Sequence, residues 1–156
     1  MQFYIRRMTE LFAVEILSWK YEAPYDFYNN DLCSDNIREL LNQTYYAVVN
    51  DNDQLIGFFC IGSAAQVPIG YEFGAYSDDH IDIGLGMKPE LTGNGFGYTF
   101  LAYILQYINE TYTDKTIRLT VAKFNHRAIH LYEKFGFKRK IEFKNNSTIF
   151  TTMLKE

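Results

Sequence analysis

Three glycines at alternate positions, Gly93, Gly95 and Gly97, follow the alternating apolar run Ile81, Ile83, Leu85 and Met87. A long apolar-periodic segment then begins at Phe96. The pattern predicts a strand, a tight loop and a helix in that order. Glycines at a helix start leave a row of backbone N–H groups with no side chains in the way. With the positive end of the helix dipole, those donors suit phosphate oxygens. The chemistry indicated is binding of a phosphate-bearing ligand, and spacing narrows which one. A P-loop closes on Gly-Lys-Ser/Thr, and no lysine follows these glycines. The dinucleotide fingerprint G-x-G-x-x-G needs a glycine where Tyr98 stands. The bland alternative is a turn that only packs a helix close to a sheet.

A second cluster lies at residues 125–137, NHRAIHLYEKFGF. Asn125 falls just past a predicted strand, at the start of a helix. Ala128, Leu131 and Tyr132 share one face of that helix, and Gly136-Phe137 turns into the next strand. Here the alternative is an ordinary amphipathic helix with Tyr132 as a core aromatic. His126 and His130 have the spacing of a metal pair, but no third ligand is apparent, so no metal is expected. Cys60 lies in an apolar run and reads as a small buried residue rather than a nucleophile. With Cys33 it forms no CxxC or zinc spacing.

These residues need a framework, and the pattern supplies one. A short strand is expected over Gln2–Arg6, then a helix capped by Thr9 and running to Trp19, with Leu11, Val14 and Leu17 on one face. The stretch 19–32 is dense in aromatics and acids and is broken by Pro24; it reads as a loop with room for a short helix. Ser34 caps a second helix over DNIRELLNQ. Strands at Tyr45–Val49 and Leu55–Ala64 form a hairpin across the turn cluster Asn50–Asp53. Residues 65–79 read as a long loop with a possible short strand near its middle. Strand 80–87, helix Phe96–Thr111 and strand Ile117–Val121 follow, and their order makes the two strands parallel. In that helix Phe100, Tyr103, Ile104, Tyr107 and Ile108 face the sheet. A helix over Asn125–Phe135 and strands Phe137–Phe143 and Thr148–Leu154, joined at Asn145-Asn146, complete the chain. The expected architecture is one mixed α/β (α+β) domain over 1–156. It has a central, mostly antiparallel twisted sheet with one parallel pair, and helices on both faces.

Composition fits a folded domain: 156 residues, 47% hydrophobic and 17% aromatic, are enough for a packed core. A net charge of −4 argues against a general nucleic-acid binder. MQFYIRRMTE has no apolar leader core and no apolar run reaches ~18 residues, so a cytoplasmic protein without a membrane segment is expected.

Together the two clusters resemble the GNAT superfamily of acyl-CoA N-acyltransferases. Thr92-Gly93-Asn94-Gly95-Phe96-Gly97 is similar to that family's Gln/Arg-x-x-Gly-x-Gly/Ala cofactor loop. Asn125, Ala128, Tyr132, Gly136 and Phe137 match its Asn-x-x-Ala-x-x-x-Tyr-x-x-x-Gly-Phe segment. The departure is Thr92, where the family has Gln or Arg; backbone donors are left to carry the phosphate binding.

The resemblance implies roles. Acetyl-CoA is the acyl donor, with its pantetheine arm pairing along Leu85, Gly86 and Met87 in a gap between strands 81–87 and 117–121, splayed open to admit it. Its pyrophosphate rests on amides of Gly93, Asn94, Gly95, Phe96, Gly97 and Tyr98, beside Thr92. Asn125 hydrogen-bonds the pantetheine, and an amide near Leu85 stabilises the oxyanion. Tyr132 serves the leaving thiolate. The general base is Asp82, opposite Ile81 and Ile83 on the strand, or Glu72 in the loop before it. Trp19, Tyr21, Tyr25 and Tyr28 fall where the family builds its acceptor pocket, with Asp26 and Asp31 to attract an amine; the alternative there is a hydrophobic lid.

The implied reaction is direct N-acetyl transfer to a primary amine in a ternary complex. The acceptor is a small molecule or a protein N-terminus or lysine, and the enzyme a monomer or homodimer. The alternatives are a non-catalytic acyl-CoA sensor and a nucleotide-binding fold unrelated to CoA.

Overall fold

Each alternating or apolar run that predicts a strand forms one. The computed structural model describes residues 2–155. Its strands are β1 (Tyr4–Arg7), β2 (Tyr45–Val49), β3 (Leu55–Ile61), β4 (Ile81–Met87), β5 (Ile117–Ala122), β6 (Lys138–Asn145) and β7 (Thr148–Lys155). The helices are α1 (Glu10–Leu17), α2 (Ser34–Leu40), α3 (Phe96–Thr111) and α4 (His126–Lys134). The strands join in one sheet in the order β1-β2-β3-β4-β5-β7-β6. The pairs β1–β2, β2–β3, β5–β7 and β6–β7 are antiparallel. β4 and β5 are parallel, with Ile81, Asp82 and Ile83 opposite Ile117, Arg118 and Leu119. This is the expected mixed architecture, with α3 as the crossover that a parallel pair requires.

The chain divides into two compact units. One holds the residues up to Cys60 with Leu85–Leu105; the other holds Ile61–Gly84 with the residues from Gln106 onward. In the first, Met8, Ala13, Ile16, Leu17, Trp19, Leu40, Ala47 and Leu55 make a buried cluster against which Phe12, Tyr21 and Phe58 pack. A close approach also marks this unit. A Cβ on Gly57 would stand 2.5 Å from the Gly86 carbonyl oxygen and 2.6 Å from the Phe100 ring, so only glycine fits. In the second, Ala75, Tyr76 and Phe143 are buried under Val67, Ile69, Ile141 and Phe150.

Several local expectations give way to context. Thr9 caps α1 through its hydroxyl, which accepts from the Phe12 amide at 3.2 Å. However, Leu11 is 83% exposed, and the helix buries Ala13, Ile16 and Leu17 instead. Eight residues are too few for periodicity alone to select a face. Cys33, not Ser34, takes the cap position of α2, with no side-chain bond, because the Ile37 amide already reaches the Cys33 carbonyl. β3 stops at Ile61, and Gly62–Ala65 turns as a 3-10 helix. Residues 65–79 hold no strand; Pro68–Phe73 is a second 3-10 turn. The last hairpin turns one residue later than expected, since Asn145 pairs with Thr148 and Asn146 takes the left-handed conformation at φ 57°.

Candidate functional site

In the first unit, β4 runs into a 3-10 turn, Pro89–Leu91, which delivers the chain to Thr92. The Thr92 hydroxyl donates to the Pro89 carbonyl at 2.7 Å. The Asn94 amide group donates to the Glu90 and Thr92 carbonyls at 3.2 and 3.3 Å. Both polar side chains therefore fold back onto the approach, and the loop presents backbone. Gly93 and Gly95 have φ of +76° and +84°, and both are exposed. A Cβ on Gly95 would meet nothing within 4 Å, so glycine is needed there for its backbone angle and not for room. α3 starts at Phe96, and its first-turn amides have no carbonyl within the helix to bond. The arrangement suits an anion, held by main-chain donors.

The same unit ties the aromatic stretch to the end of β4. The Tyr21 hydroxyl donates to the Met87 carbonyl at 2.7 Å, and the Tyr21 amide donates to Asn29 Oδ1 at 2.8 Å. Tyr21, expected to line an acceptor pocket, thus already engages one of the backbone groups expected to pair with pantetheine. Trp19 is a core residue, 7% exposed, packed 6.2 Å from the Phe58 ring and with no hydrogen-bond partner for its indole N–H. Tyr25 and Tyr28 lie half-buried in the 3-10 turn Tyr25–Tyr28, and Phe27 beside them is exposed.

In the second unit the expected cleft-facing carboxylate is buried. Asp82 is 4% exposed, and Arg118, its register partner on β5, takes both its oxygens through Nε and Nη2 at 2.7 and 2.8 Å. Gln66 Nε2 adds a third bond to Oδ2 at 2.8 Å. The hydrogen bonds that Arg118 donates to Asp82 hold its guanidinium above its usual range, against the opposing effect of burial. Arg118 also lies over the Tyr76 ring, 5.1 Å from its centre. Burial pushes the Tyr76 hydroxyl up, although Thr120 and the Val67 amide both bond it. Both Asp82 oxygens are taken up by Arg118 and Gln66 inside the fold, which leaves Glu72, exposed on the Pro68–Phe73 turn, as the other carboxylate singled out by sequence.

Arg118, Gln66 and Tyr76 were not among the residues singled out. Asp82 and Arg118 are each the one acidic or basic residue in their apolar strands, a signal that becomes a contact only once the register of β4 on β5 is known. Asn125 caps α4, its Oδ1 accepting from the Ala128 amide at 3.1 Å. Tyr132 lies two turns further along α4, half-buried, with its ring edge-on to Phe137 at 6.0 Å. His126 and His130 are exposed on α4. Among the described residues, no group of three or more His, Cys, Asp or Glu side chains could hold a metal ion. No helix among them is long and apolar enough to cross a membrane.

A family model described as Acetyltransferase (GNAT) family matches residues 9–137. A search of the curated proteins returns no match. Among solved structures, a spermidine N-acetyltransferase SpeG chimera from Vibrio cholerae and hSSAT has a TM-score of 0.68 at 22% identity, covering 99% of this chain and 95% of that one. An uncharacterized protein from Bacillus halodurans has a TM-score of 0.77 at 22% identity, covering 99% and 83%. The spermidine/spermine N-acetyltransferase SpeG from Vibrio cholerae in complex with manganese ions has a TM-score of 0.64 at 23% identity, covering 98% and 91%. At these identities the likeness is one of fold.

Proposed function

Since the chain belongs to the GNAT acetyltransferase family, we propose that it transfers an acetyl group from acetyl-CoA to a primary amine by direct attack in a ternary complex. The observation that carries this reading is the exposed Gly93–Gly95 backbone at the head of α3, with Thr92 and Asn94 turned away from it. The residues present fit a diphosphate, because main-chain amides of 93–98 need no basic side chain to bind one.

In the first unit, the amides of Gly93, Asn94, Gly95, Phe96, Gly97 and Tyr98 take the pyrophosphate, and backbone groups of Leu85, Gly86 and Met87 pair with the pantetheine arm. In the second, Asn125 contributes a hydrogen bond to that arm and Tyr132 addresses the sulfur. The amine nitrogen forms its bond to the thioester carbonyl carbon, and the carbon–sulfur bond breaks. Before that attack the ammonium gives one proton to Glu72, directly or through water; the second, shed as the amide forms, passes through water to the departing thiolate, and an amide near Leu85 stabilises the oxyanion. Full proton transfer from a tyrosine near pKa ~10 to a thiol near ~8.5 is uphill by about 2 kcal/mol, so Tyr132 acts by donating a hydrogen bond to the departing thiolate.

The acceptor is a small-molecule amine or a protein N-terminus or lysine. Glu22, Asp26, Asp31, Asp35 and Glu39, all exposed around the aromatic stretch, favour a cation. The cytoplasm is the compartment proposed, in keeping with two free cysteines, Cys33 and Cys60. The test is thiol detection of CoA release over a panel of amines and peptides that includes spermidine, the substrate named for the Vibrio cholerae proteins. Release on at least one amine is expected. Tight acetyl-CoA binding with no release on any of them would replace the enzyme by a sensor.

A further inference from the structure

We infer that Asp82, Arg118 and Gln66 are positioning residues that fix the Pro68–Phe73 turn and so present Glu72 to the amine acceptor. The inference rests on the proposed acetyl transfer. Its physical basis is a continuous chain of contacts within the second unit. Arg118 clamps both oxygens of Asp82, and Asp82 Oδ2 accepts from Gln66 Nε2 at 2.8 Å. Gln66 Oε1 in turn accepts from the Tyr71 hydroxyl. Tyr71 immediately precedes Glu72. The two faces of the Gln66 amide therefore connect a buried ion pair to the turn that carries the candidate base.

The turn is held at further points. The Val67 amide donates to the Tyr76 hydroxyl at 2.9 Å, and the Tyr71 ring lies 5.2 Å from that of Tyr76. Phe73 stacks on Phe143 at 6.1 Å. A Cβ on Gly70 would stand 2.7 Å from the Tyr76 ring, so the turn is seated directly on it. Tyr76 itself lies under Arg118. Every side chain in this set points to the turn being fixed, yet Glu72 is left exposed. A network whose only task was to fill the interior would have no need of Gln66, which is half-buried and bridges outward. The network is buried at the Asp82–Arg118 pair and reaches the surface at Tyr71, which is 59% exposed, so it ties the turn to a fixed anchor. A base must sit within hydrogen-bond reach of the proton it takes, so loosening its support costs turnover.

The test uses Gln66→Met and Tyr71→Phe, which cut the bridge without stranding the buried charges. In both variants kcat is expected to fall about fivefold or more while the acetyl-CoA KM stays within about twofold. Combined with Glu72→Gln, Gln66→Met should add little, because the group it positions is gone. Amide hydrogen exchange needs no turnover: Gly70, Gly74 and Ala75 should exchange faster in both variants, with protection elsewhere unchanged. Unchanged exchange at those amides would overturn the inference. So would an undiminished kcat in both variants, or a full Gln66→Met effect in the Glu72→Gln background. If the wild-type protein releases no CoA on any amine, the acetyl-transfer reading and Glu72's role fall with it. The exchange data then still decide whether the bridge holds the turn.

Discussion

Gly93–Gly95 offers bare backbone to solvent, whereas Asp82 and Arg118 bury two charges against each other behind Gln66 and Tyr76. The loop gets its chemistry from what is missing, side chains on left-handed residues; the ion pair gets its rigidity from three hydrogen bonds to the two Asp82 oxygens. The difference teaches where substitution is tolerated. The loop should absorb changes at Thr92 and Asn94, whose polar groups face backward, but not at its glycines. The ion pair should absorb paired replacement, but not the loss of one partner.

The largest effect tests the second half of that contrast. Asp82→Ala leaves a buried guanidinium uncompensated and should lower unfolding stability by about 3–5 kcal/mol in a denaturant titration. The double variant Asp82→Leu/Arg118→Met should recover most of it, since well-packed apolar residues replace buried ion pairs at little cost. A double variant as unstable as the single one would break the comparison.

Next is the loop itself. Gly95→Ala meets no steric wall, so its structural cost is the left-handed backbone, about 1–2 kcal/mol. Its acetyl-CoA affinity, read by calorimetry, should fall about tenfold. Tyr132→Phe sharpens the contrast from the other side. It removes a side-chain donor, so turnover should drop about tenfold while acetyl-CoA affinity holds within about twofold. Unchanged turnover would remove Tyr132 from the mechanism.

A smaller effect comes with pH. Burial raises the hydroxyl of Tyr45 in the first unit and of Tyr76 in the second above the ordinary 10.0. A raised folded pKa means the unfolded chain gives up those protons first. Their contribution to stability is therefore fully present below pH 10 and is lost as pH rises above it. Tyr76→Phe should flatten part of that fall in thermal melts at pH 9–11; an unaltered slope would deny Tyr76 its share. The smallest expected change is Thr92→Ala, within about twofold in acetyl-CoA affinity, because its hydroxyl hydrogen is already given to Pro89.

What the sequence made legible follows the same divide. The bounds of α3 and β2 agree with the pattern to the residue, because apolar period and flanking turn chemistry are local. The glycine loop was legible for the same reason. The Asp82–Arg118 clamp was not: the partners lie 36 residues apart, and only the register of β4 on β5 brings them together. Alternation put Asp82 on the face opposite Ile83, and both sides of β4 prove buried at that point. Tyr21's bond to Met87 was hidden in the same way, across 66 residues and an aperiodic stretch that carries no pattern.

The central claim is that main-chain amides after Thr92 grip a diphosphate, and amide NMR reads those groups directly. Titrating the isotope-labelled protein with coenzyme A should move the Gly93, Gly95 and Gly97 amide resonances further than any others, saturably. Binding that left those three signals in place, or no binding at all, would contradict the account.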